Sequence, residues 1–175
     1  MPVPTSYAGP RHDDGKRKST FSQTTDTNVS HEAATVEKLL AHKGRDIFSI
    51  RRDDTMRKAV DILREKRIGA LLVTTESGEL EGILSERDIV RKLSETPGQV
   101  LQQKVEVLMT KDVKVGTTDE LLVSVLRRMT EGRFRHMPVM SGDKIIGMVT
   151  IGDVVHYRLK ELENEAVQLK QLIVG

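Results

Sequence analysis

The sequence predicts an α/β (α+β) fold of two pseudo-symmetric halves, each with the order β-α-β-β-α, followed by an extended C-terminal helix. A stretch that occurs twice carries this prediction: Gly82–Asp88 recurs as Gly147–Asp153, with glycine, two apolar residues, a hydroxyl and a carboxylate in the same order. The apolar run Ala70–Val73 recurs in the same way as His136–Val139. Each repeat is one supersecondary unit with too little apolar surface to close a core alone, so the two should pack together.

Composition indicates one domain with tails and excludes several classes of protein. The 175 residues include 28 basic and 26 acidic side chains, and the net charge of +2 is too small for a broad nucleic-acid face. Aromatic residues make up 3% of the chain, which argues against base-stacking platforms. No apolar run approaches the roughly 18 residues of a membrane span, and the N-terminal stretch is not a secretory signal. We therefore expect a cytoplasmic protein that binds neither membrane nor nucleic acid.

Signatures of catalysis are missing from the sequence. With no cysteine, thiolate catalysis and cysteine-bound metals are excluded. The five histidines form no i, i+4 pair and have no carboxylate at metal-ligand spacing. The chain has no Walker phosphate loop, no Gly-x-Ser-x-Gly and no Rossmann fingerprint. We expect a binding protein without a catalytic cofactor rather than an enzyme.

Four segments are predicted along the chain. Residues 1–30 are rich in Pro, Gly, Ser and Thr and are expected to form a disordered tail. Residues 31–100 are assigned to the first repeat, 101–160 to the second and 161–175 to the extension of the last helix.

The last helix carries an apolar stripe with alternating spacings of four and three residues, which is typical of coiled coils. Its members are Val155, Leu159, Leu162, Ala166, Leu169 and Ile173. Near its start this helix must cover the core of its own domain. Beyond Glu163 it is too long for that, so the stripe predicts self-association.

Hydrophobic spacing and turn residues place the elements of the first repeat. They are a helix from His31 or Glu32 to Lys43, a strand at Ile47–Ile50, a helix capped by Asp54 and ending near Lys66, a hairpin of Ala70–Thr74 and Leu80–Leu84, and a helix from Ser85 to about Ser94. The same patterns place the second repeat. It has a strand at Val113–Val115, a helix capped by Asp119 and ending at Glu131, a hairpin of Met137–Met140 and Ile145–Val149, and a last helix that begins at Thr150.

The repeated Ser/Thr-x-x-Asp motif has a local explanation and a functional one. Ser85 with Asp88, and Thr150 with Asp153, can form capping boxes at the start of their helices. Both copies also follow directly after a strand, so helix N–H groups, a hydroxyl and a carboxylate converge there. Such a carboxylate can accept hydrogen bonds from both hydroxyls of a ribose, and the N–H groups can bind phosphate. The preceding glycine is expected to let a planar group approach the backbone.

These motifs resemble the CBS domain family in its tandem form, the Bateman module. Gly82–Asp88 and Gly147–Asp153 match the family's pattern of glycine, apolar, variable, Thr or Ser, two variable residues and Asp. Val107–Thr110 and Arg135–Val139 are also similar to it. The resemblance covers roughly residues 35–160 and implies ligands that contain adenosine, chiefly AMP, ADP or ATP, with S-adenosylmethionine or NAD(H) in some members.

The resemblance also implies roles for particular residues. The aspartate of each motif would hold the ribose, so Ser85 and Asp88 would serve one site and Thr150 and Asp153 the other. The head of each repeat would line an adenine pocket. The residues concerned are Ile47 and Phe48 in the first repeat and Val113 and Lys114 in the second.

A basic stretch before the second hairpin predicts a phosphate clamp. Arg133, Arg135 and His136 lie within four residues, and guanidinium groups match phosphate oxygens in pairs; a solvated basic loop is the alternative. The first repeat has Gly69 and Ala70 at the corresponding positions. We therefore expect unequal sites, with the one that contains Asp153 preferring the more phosphorylated ligand.

The function expected from the sequence is that of a regulatory sensor. It would bind an adenine nucleotide between its repeats, form a homodimer and act on a regulated protein that is unknown. The alternative is a structural adaptor with empty pockets that dimerises other proteins through the C-terminal helix.

Overall fold

The computed structural model of the chain describes residues 33–96 and 98–174. The tail predicted at residues 1–30 lies outside this part. None of the helices in the described ranges is both long and apolar enough to cross a membrane.

The predicted order of elements is confirmed except at the head of the second repeat. In chain order the elements are α1 (Val36–Lys43), β1 (Ser49–Ile50), α2 (Met56–Lys66), β2 (Ala70–Thr74), β3 (Leu80–Ser85), α3 (Glu86–Glu95), two short 3-10 helices (Val100–Gln102 and Val105–Val107), α4 (Leu122–Glu131), β4 (His136–Ser141), β5 (Lys144–Thr150) and α5 (Ile151–Val174). In the first repeat β1 pairs parallel to β2 and β2 pairs antiparallel to β3, while β4 pairs antiparallel to β5 in the second.

The strand predicted at Val113–Val115 is wrong, and Pro138 supplies the reason. In the first repeat, the N–H of Leu72 in β2 donates to the carbonyl of Phe48 at 3.0 Å and extends the pairing. The equivalent residue of β4 is Pro138, which has no N–H to donate. The pairing is therefore reduced to a single parallel bridge between Gly116 and Val139.

Three predicted helix starts are also wrong, although the helices themselves are present. The first helix begins at Val36 and not near residue 31, because Thr35 is in extended conformation and its side chain caps the helix. Thr55 caps α2 in place of Asp54, whose carboxylate accepts from the N–H of Arg51 at 3.1 Å. Asp119 lies upstream of the start of α4, where Leu121 occupies the N-cap position.

The two hydrophobic cores exchange chain segments. The core around β2 and β3 includes Val105 and Met109, which the sequence assigned to the second repeat, together with Val100. The core around β4 and β5 includes Val36 and Leu40 of α1, which the sequence assigned to the first repeat. The apolar side chains of α1 are thus buried against the other half of the chain.

Backbone hydrogen bonds fix this exchange in the same register in both halves. In the second repeat the bonds run from Val36 N to Glu120 O (3.0 Å) and from Leu122 N to Ala34 O (2.9 Å), and in the first from Val105 N to Asp54 O (2.9 Å) and from Met56 N to Gln103 O (2.8 Å). Because each exchanged segment supplies backbone partners at the start of a helix, it satisfies N–H groups that the helix itself leaves unpaired.

The motif glycines make room for the exchanged segments. A Cβ on Gly147 would lie 2.9 Å from Leu40, and one on Gly82 would lie 3.0 Å both from Met109 and from the carbonyl of Thr110. The expectation that these glycines leave space for a planar ligand is therefore wrong, because protein atoms already fill that space.

The apolar stripe of α5 faces away from the core along its whole length. Val154 is fully buried in the second core, whereas Val155 is 42% exposed and Leu159 is 54% exposed. The start of the helix covers the core of its own domain as expected, but it does so through Val154, which is offset from the stripe by one residue.

We predict that truncating a buried side chain of α1 destabilises the whole domain. Leu40→Ala should lower the free energy of unfolding by about 2–4 kcal/mol, because Leu40 is fully buried and its loss leaves a cavity in the second core. Urea unfolding followed by circular dichroism measures the change.

Val123→Ala is the matched control, because Val123 is 52% exposed on α4 and its truncation should change stability by no more than about 0.5 kcal/mol. Equal, small effects of the two substitutions would show that α1 is not part of the second core.

Candidate functional site

A cavity of about 370 Å³ lies at the start of α3 and is lined by residues of both repeats. Its volume is in the range of small-molecule sites. The lining residues are Gly69, Ile83, Ser85, Glu86, Arg87, Asp88 and Arg91 from the first repeat, and Thr110, Asp112, Val113, Lys114, Gly132, Arg133, Phe134, Arg135 and His136 from the rest of the chain. We call it the Asp88 cavity.

Ser85 and Asp88 form one corner of this cavity. Ser85 ends β3 in extended conformation and caps α3, and the two residues form a full capping box. Oδ2 of Asp88 accepts from the N–H of Ser85 at 3.2 Å and from its hydroxyl at 2.5 Å. Among the residues that the structure describes, none donates a hydrogen bond to Oδ1 of Asp88. The helix cap thus occupies one carboxylate oxygen and leaves the other available.

Cationic side chains dominate the remaining wall. Five lining residues are positively charged (Arg87, Arg91, Lys114, Arg133 and Arg135) and three are negatively charged (Glu86, Asp88 and Asp112). This excess of two favours an anionic group near the N-terminus of α3, where the helix dipole also favours negative charge.

Arg133, a residue of this wall, has an unusual backbone conformation. It has a φ of 55°, in the left-handed region, although the neighbouring Gly132 would adopt that conformation more readily. Its carbonyl accepts a hydrogen bond from the guanidinium of Arg87 at 3.2 Å. This contact joins the start of α3 to the loop after α4 across the two repeats.

His136 lies where the two repeats meet. A Cβ on Gly69 would be 3.1 Å from Nε2 of His136, so the imidazole fills the space that the glycine leaves. Burial lowers the pKa of His136; the carboxylate of Asp153 opposes this effect and the guanidinium of Arg135 adds to it. The ring is therefore neutral at pH 7 and can both donate and accept a hydrogen bond.

The structure groups the predicted site residues differently from the sequence. Val113, Lys114, Arg133, Arg135 and His136 line the cavity that contains Ser85 and Asp88. The sequence placed the basic residues at the site of Thr150 and Asp153, whereas Arg133 and Arg135 line the Asp88 cavity. His136 lies beside both corners: it packs against Gly69, it pairs with Thr150 across the hairpin, and the carboxylate of Asp153 acts on its pKa.

Thr150 and Asp153 form a corner of similar local geometry but different electrostatics. The N–H of Thr150 donates to Oδ2 of Asp153 at 2.9 Å, and the Thr150 hydroxyl accepts from the N–H of Asp153 at 3.1 Å. In addition, the ammonium of Lys43 lies 2.9 Å from the same Oδ2. Burial acts to raise the pKa of Asp153, but the bonds from Lys43 and Thr150 outweigh it and lower that pKa.

Ile47 lines a separate, open cavity of about 430 Å³ between the turns of the two hairpins, together with Glu79 and Lys144. Phe48 is half-buried against the first core. A role for these two residues at an adenine pocket stays a prediction.

Several residues of the site were not found from the sequence. Thr110, Asp112 and Phe134 line the Asp88 cavity, and Lys43 contacts Asp153. Gly132 was a sequence signal for Phe134: a Cβ on Gly132 would lie 2.6 Å from the Phe134 ring, so a glycine is needed beside that ring. No local signal existed for Lys43, because its partner is more than a hundred residues away in the chain.

Comparison with known proteins identifies the class to which this fold and cavity belong. The sequence profile of the CBS domain matches the chain twice, at residues 42–95 and 105–160. The chain belongs to the CBS domain family and is a tandem CBS module.

Solved structures of CBS-domain proteins have the same fold. A CBS-domain protein of Agrobacterium tumefaciens, ATU1752, is 37% identical with a TM-score of 0.71, and the match covers 74% of this chain and 96% of that one. The CBS-domain pair of protein MJ0100, solved with 5′-methylthioadenosine and S-adenosylmethionine, is 23% identical with a TM-score of 0.65 and coverages of 74% and 98%.

Curated relatives differ in length and location. The mitochondrial CBS domain-containing protein CBSX3 of Arabidopsis thaliana is 32% identical over 152 residues, which are 82% of this chain and 74% of the plant protein. Other relatives are longer: the chain spans 39% of a 33.4 kDa protein of Thermofilum pendens.

We predict that the stabilising effect of Asp153 depends on pH. Because its folded-state pKa lies below the ordinary value of 3.8, the stabilisation is present above that value and is lost as the pH falls through the folded-state pKa. Asp153→Asn should cost about 1–2 kcal/mol of unfolding free energy at pH 7 and progressively less below about pH 4. Urea unfolding at a series of pH values checks this.

Asp61→Asn is the control, since the carboxylate of Asp61 is 59% exposed in an ion pair on α2. A cost of Asp153→Asn that is the same at pH 3 and pH 7 would rule out a stabilising charge at this position.

Proposed function

We propose that the protein is a regulatory module that binds an adenosine-containing ligand in the Asp88 cavity. The observation that carries the proposal is a carboxylate with one oxygen available, Oδ1 of Asp88, in a cavity of about 370 Å³ whose other wall is cationic. A ribose offers two hydroxyl donors to a carboxylate, and phosphates need positive charge. A nucleotide carries ribose hydroxyls and phosphate in one small molecule, so it can contact the carboxylate and the cationic wall at the same time.

Each part of the cavity has a role in this proposal. Asp88 accepts from the ribose hydroxyls, and the N-terminus of α3 with the Ser85 hydroxyl faces the first phosphate. Arg133 and Arg135 bind phosphate oxygens, and neutral His136 donates a hydrogen bond to them. The half-buried Val113 and Phe134 offer apolar surface to the adenine ring.

The charge of the cavity favours AMP, ADP or ATP, and NAD(H) is the larger candidate. The MJ0100 pair, which shares the fold, binds two other adenosine compounds, 5′-methylthioadenosine and S-adenosylmethionine. That protein supports adenosine as the common group, while the five cations of the Asp88 cavity favour a ligand with phosphate.

The proposed role is sensing and not catalysis. The Ser85 hydroxyl donates to Asp88 at 2.5 Å as part of the helix cap, so the contact between these two residues has a structural explanation that needs no catalysis. No group of three or more potential metal ligands occurs in the described part of the chain. Output would pass to a regulated partner protein, and the cytoplasm stays the predicted location.

We predict that Asp88→Asn weakens ligand binding by roughly ten- to a hundred-fold, because it removes a charge-assisted acceptor for the ribose. Asparagine keeps the size of the side chain and can still cap a helix, so stability should change little. Calorimetry of the full chain against AMP, ATP, NAD⁺ and S-adenosylmethionine measures the affinities.

The control is Asp61→Asn on α2, which should leave every affinity unchanged. If Asp88→Asn lowers thermal stability but leaves affinity as it was, then Asp88 serves only as a helix cap. If none of the four compounds binds the parent protein, the adenosine function is wrong and the adaptor alternative gains weight.

We also propose that the protein forms a homodimer through α5. The apolar stripe of this helix is exposed from Val155, and exposure rises to 61% at Leu169 and 84% at Ile173. Such a stripe at coiled-coil spacing fits a second copy of the same helix, since two-fold pairing buries like against like. The same exposed stripe is what favours the structural adaptor as the second candidate function.

We predict that truncation after Glu163 weakens dimerisation, because it removes the most exposed apolar residues of the stripe. Sedimentation at tens of micromolar protein should show a dimer for the parent chain and a larger fraction of monomer for the truncated one.

A full-length variant, Asn164→Lys, is the control, since it adds a charge to the exposed helix surface outside the stripe and should remain dimeric. A parent protein that stays monomeric with and without AMP would exclude self-association through α5.

A further inference from the structure

The two motif carboxylates are equal as helix caps but unequal as ligand acceptors. Asp88 and Asp153 each accept from the backbone N–H three residues earlier. Within residues 33–96 and 98–174, Asp88 has no ion pair, whereas Asp153 pairs with Lys43 at 2.9 Å. Both partners of that pair are about three-quarters buried, with side-chain exposures of 26% and 27%.

The exchanged segments explain why, within the described residues, a cation pairs with the motif carboxylate only in the second corner. Leu40 and Met109 are equivalent, because each covers the motif glycine of the repeat it packs on. From Leu40 to the parallel pairing at Ile50 there are ten residues (50 − 40), whereas from Met109 to the pairing at Gly116 there are seven (116 − 109). The longer connection lets α1 continue for another turn, and Lys43 is its last residue.

Neighbouring contacts hold the end of α1 in this place. The ring of His42 packs edge-on against Tyr157 of α5, with 6.1 Å between the ring centroids. The N–H of Gly44 donates to the carbonyl of Leu40 at 2.9 Å and closes the helix. Lys43 is therefore positioned by a packed helix end and is not a mobile surface side chain.

We infer that Lys43 is the residue that makes the two sites unequal: its ammonium pairs with Oδ2 of Asp153, neutralises that carboxylate and makes it a weaker acceptor for a ribose. This inference rests on the adenosine function proposed for the Asp88 cavity. A ribose at the second site must share Asp153 with the ammonium of Lys43, whereas a ribose at Asp88 meets a carboxylate that has no ion pair within the described residues. The first site consequently fills first.

The inference reverses the order of affinity that the sequence predicted. The basic residues Arg133 and Arg135 line the Asp88 cavity, and Lys43 neutralises the other carboxylate. Removing Lys43 frees a carboxylate that is already held in place by its own helix cap. The second site should then become available without any change in the first.

Calorimetry of the full chain with AMP, and separately with S-adenosylmethionine, tests the inference. The parent protein should bind one molecule per chain. Lys43→Met keeps the apolar stem and removes the charge, so it should add a second binding event and tighten the second site by about ten-fold or more. Adding Asp153→Asn to Lys43→Met should abolish that second event.

Arg45→Met is the matched control, because Arg45 forms an ion pair with Glu37 at the same end of α1 and does not contact Asp153. It should still bind one molecule per chain. Two equal sites in the parent protein, or one site in Lys43→Met, would overturn the role of Lys43 and leave the adenosine function intact. Binding in no variant would overturn the adenosine function, and the role of Lys43 with it.

Hydrogen exchange keeps the inference testable if Lys43→Met does not fold. In the parent protein, AMP at a concentration that fills one site should leave the exchange rate of the Gly44 amide unchanged, since Lys43 stays on Asp153. Faster exchange at that concentration would show that the first ligand already releases the end of α1, and the inference would be wrong. Lys43→Gln serves as a second variant for the stoichiometry.

Discussion

The structure depends on the exchange of segments between the two halves. The core around β2 and β3 is completed by Met109 from the second repeat, and the core around β4 and β5 is completed by Leu40 from the first. Because the exchanged segments also pair with the backbone at the starts of α2 and α4, neither half can keep its hydrogen bonds or its core without the other. The Asp88 cavity, which is lined by residues of both repeats, depends on the same packing.

The exchange explains features of the sequence that have no local cause. The glycine of each motif is required because an apolar side chain from the other segment lies against it, at Gly82 and at Gly147. The same contacts make the two ends of the module different, since the connection after Leu40 is longer than the one after Met109. Approximate symmetry in the fold therefore coexists with clear differences in the sites.

Sequence reasoning was reliable for most of what is determined within one element. The hairpins, the order of helices and the cap at Ser85 follow from spacing and side-chain chemistry, and the structure agrees with them. It failed where the answer depended on contacts distant in sequence. Arg135 was assigned to Asp153, which belongs to the same repeat, yet it lines the cavity of Asp88. A single sequence states which residues are adjacent along the chain but not which repeat each side chain faces.

The capping and binding interpretations of the motif are compatible, because a carboxylate has two oxygens. In both corners the cap uses Oδ2 alone. The hydrogen bonds of the cap already fix the aspartate side chain, so a ligand would lose little conformational entropy by binding to it. Capping therefore cannot distinguish a binding aspartate from a structural one. What distinguishes them is the charge nearby: a cation on the carboxylate, as at Asp153, competes with a hydroxyl donor, while its absence at Asp88 within the described residues leaves the acceptor available. The function of such a motif is decided by the segment that packs over it.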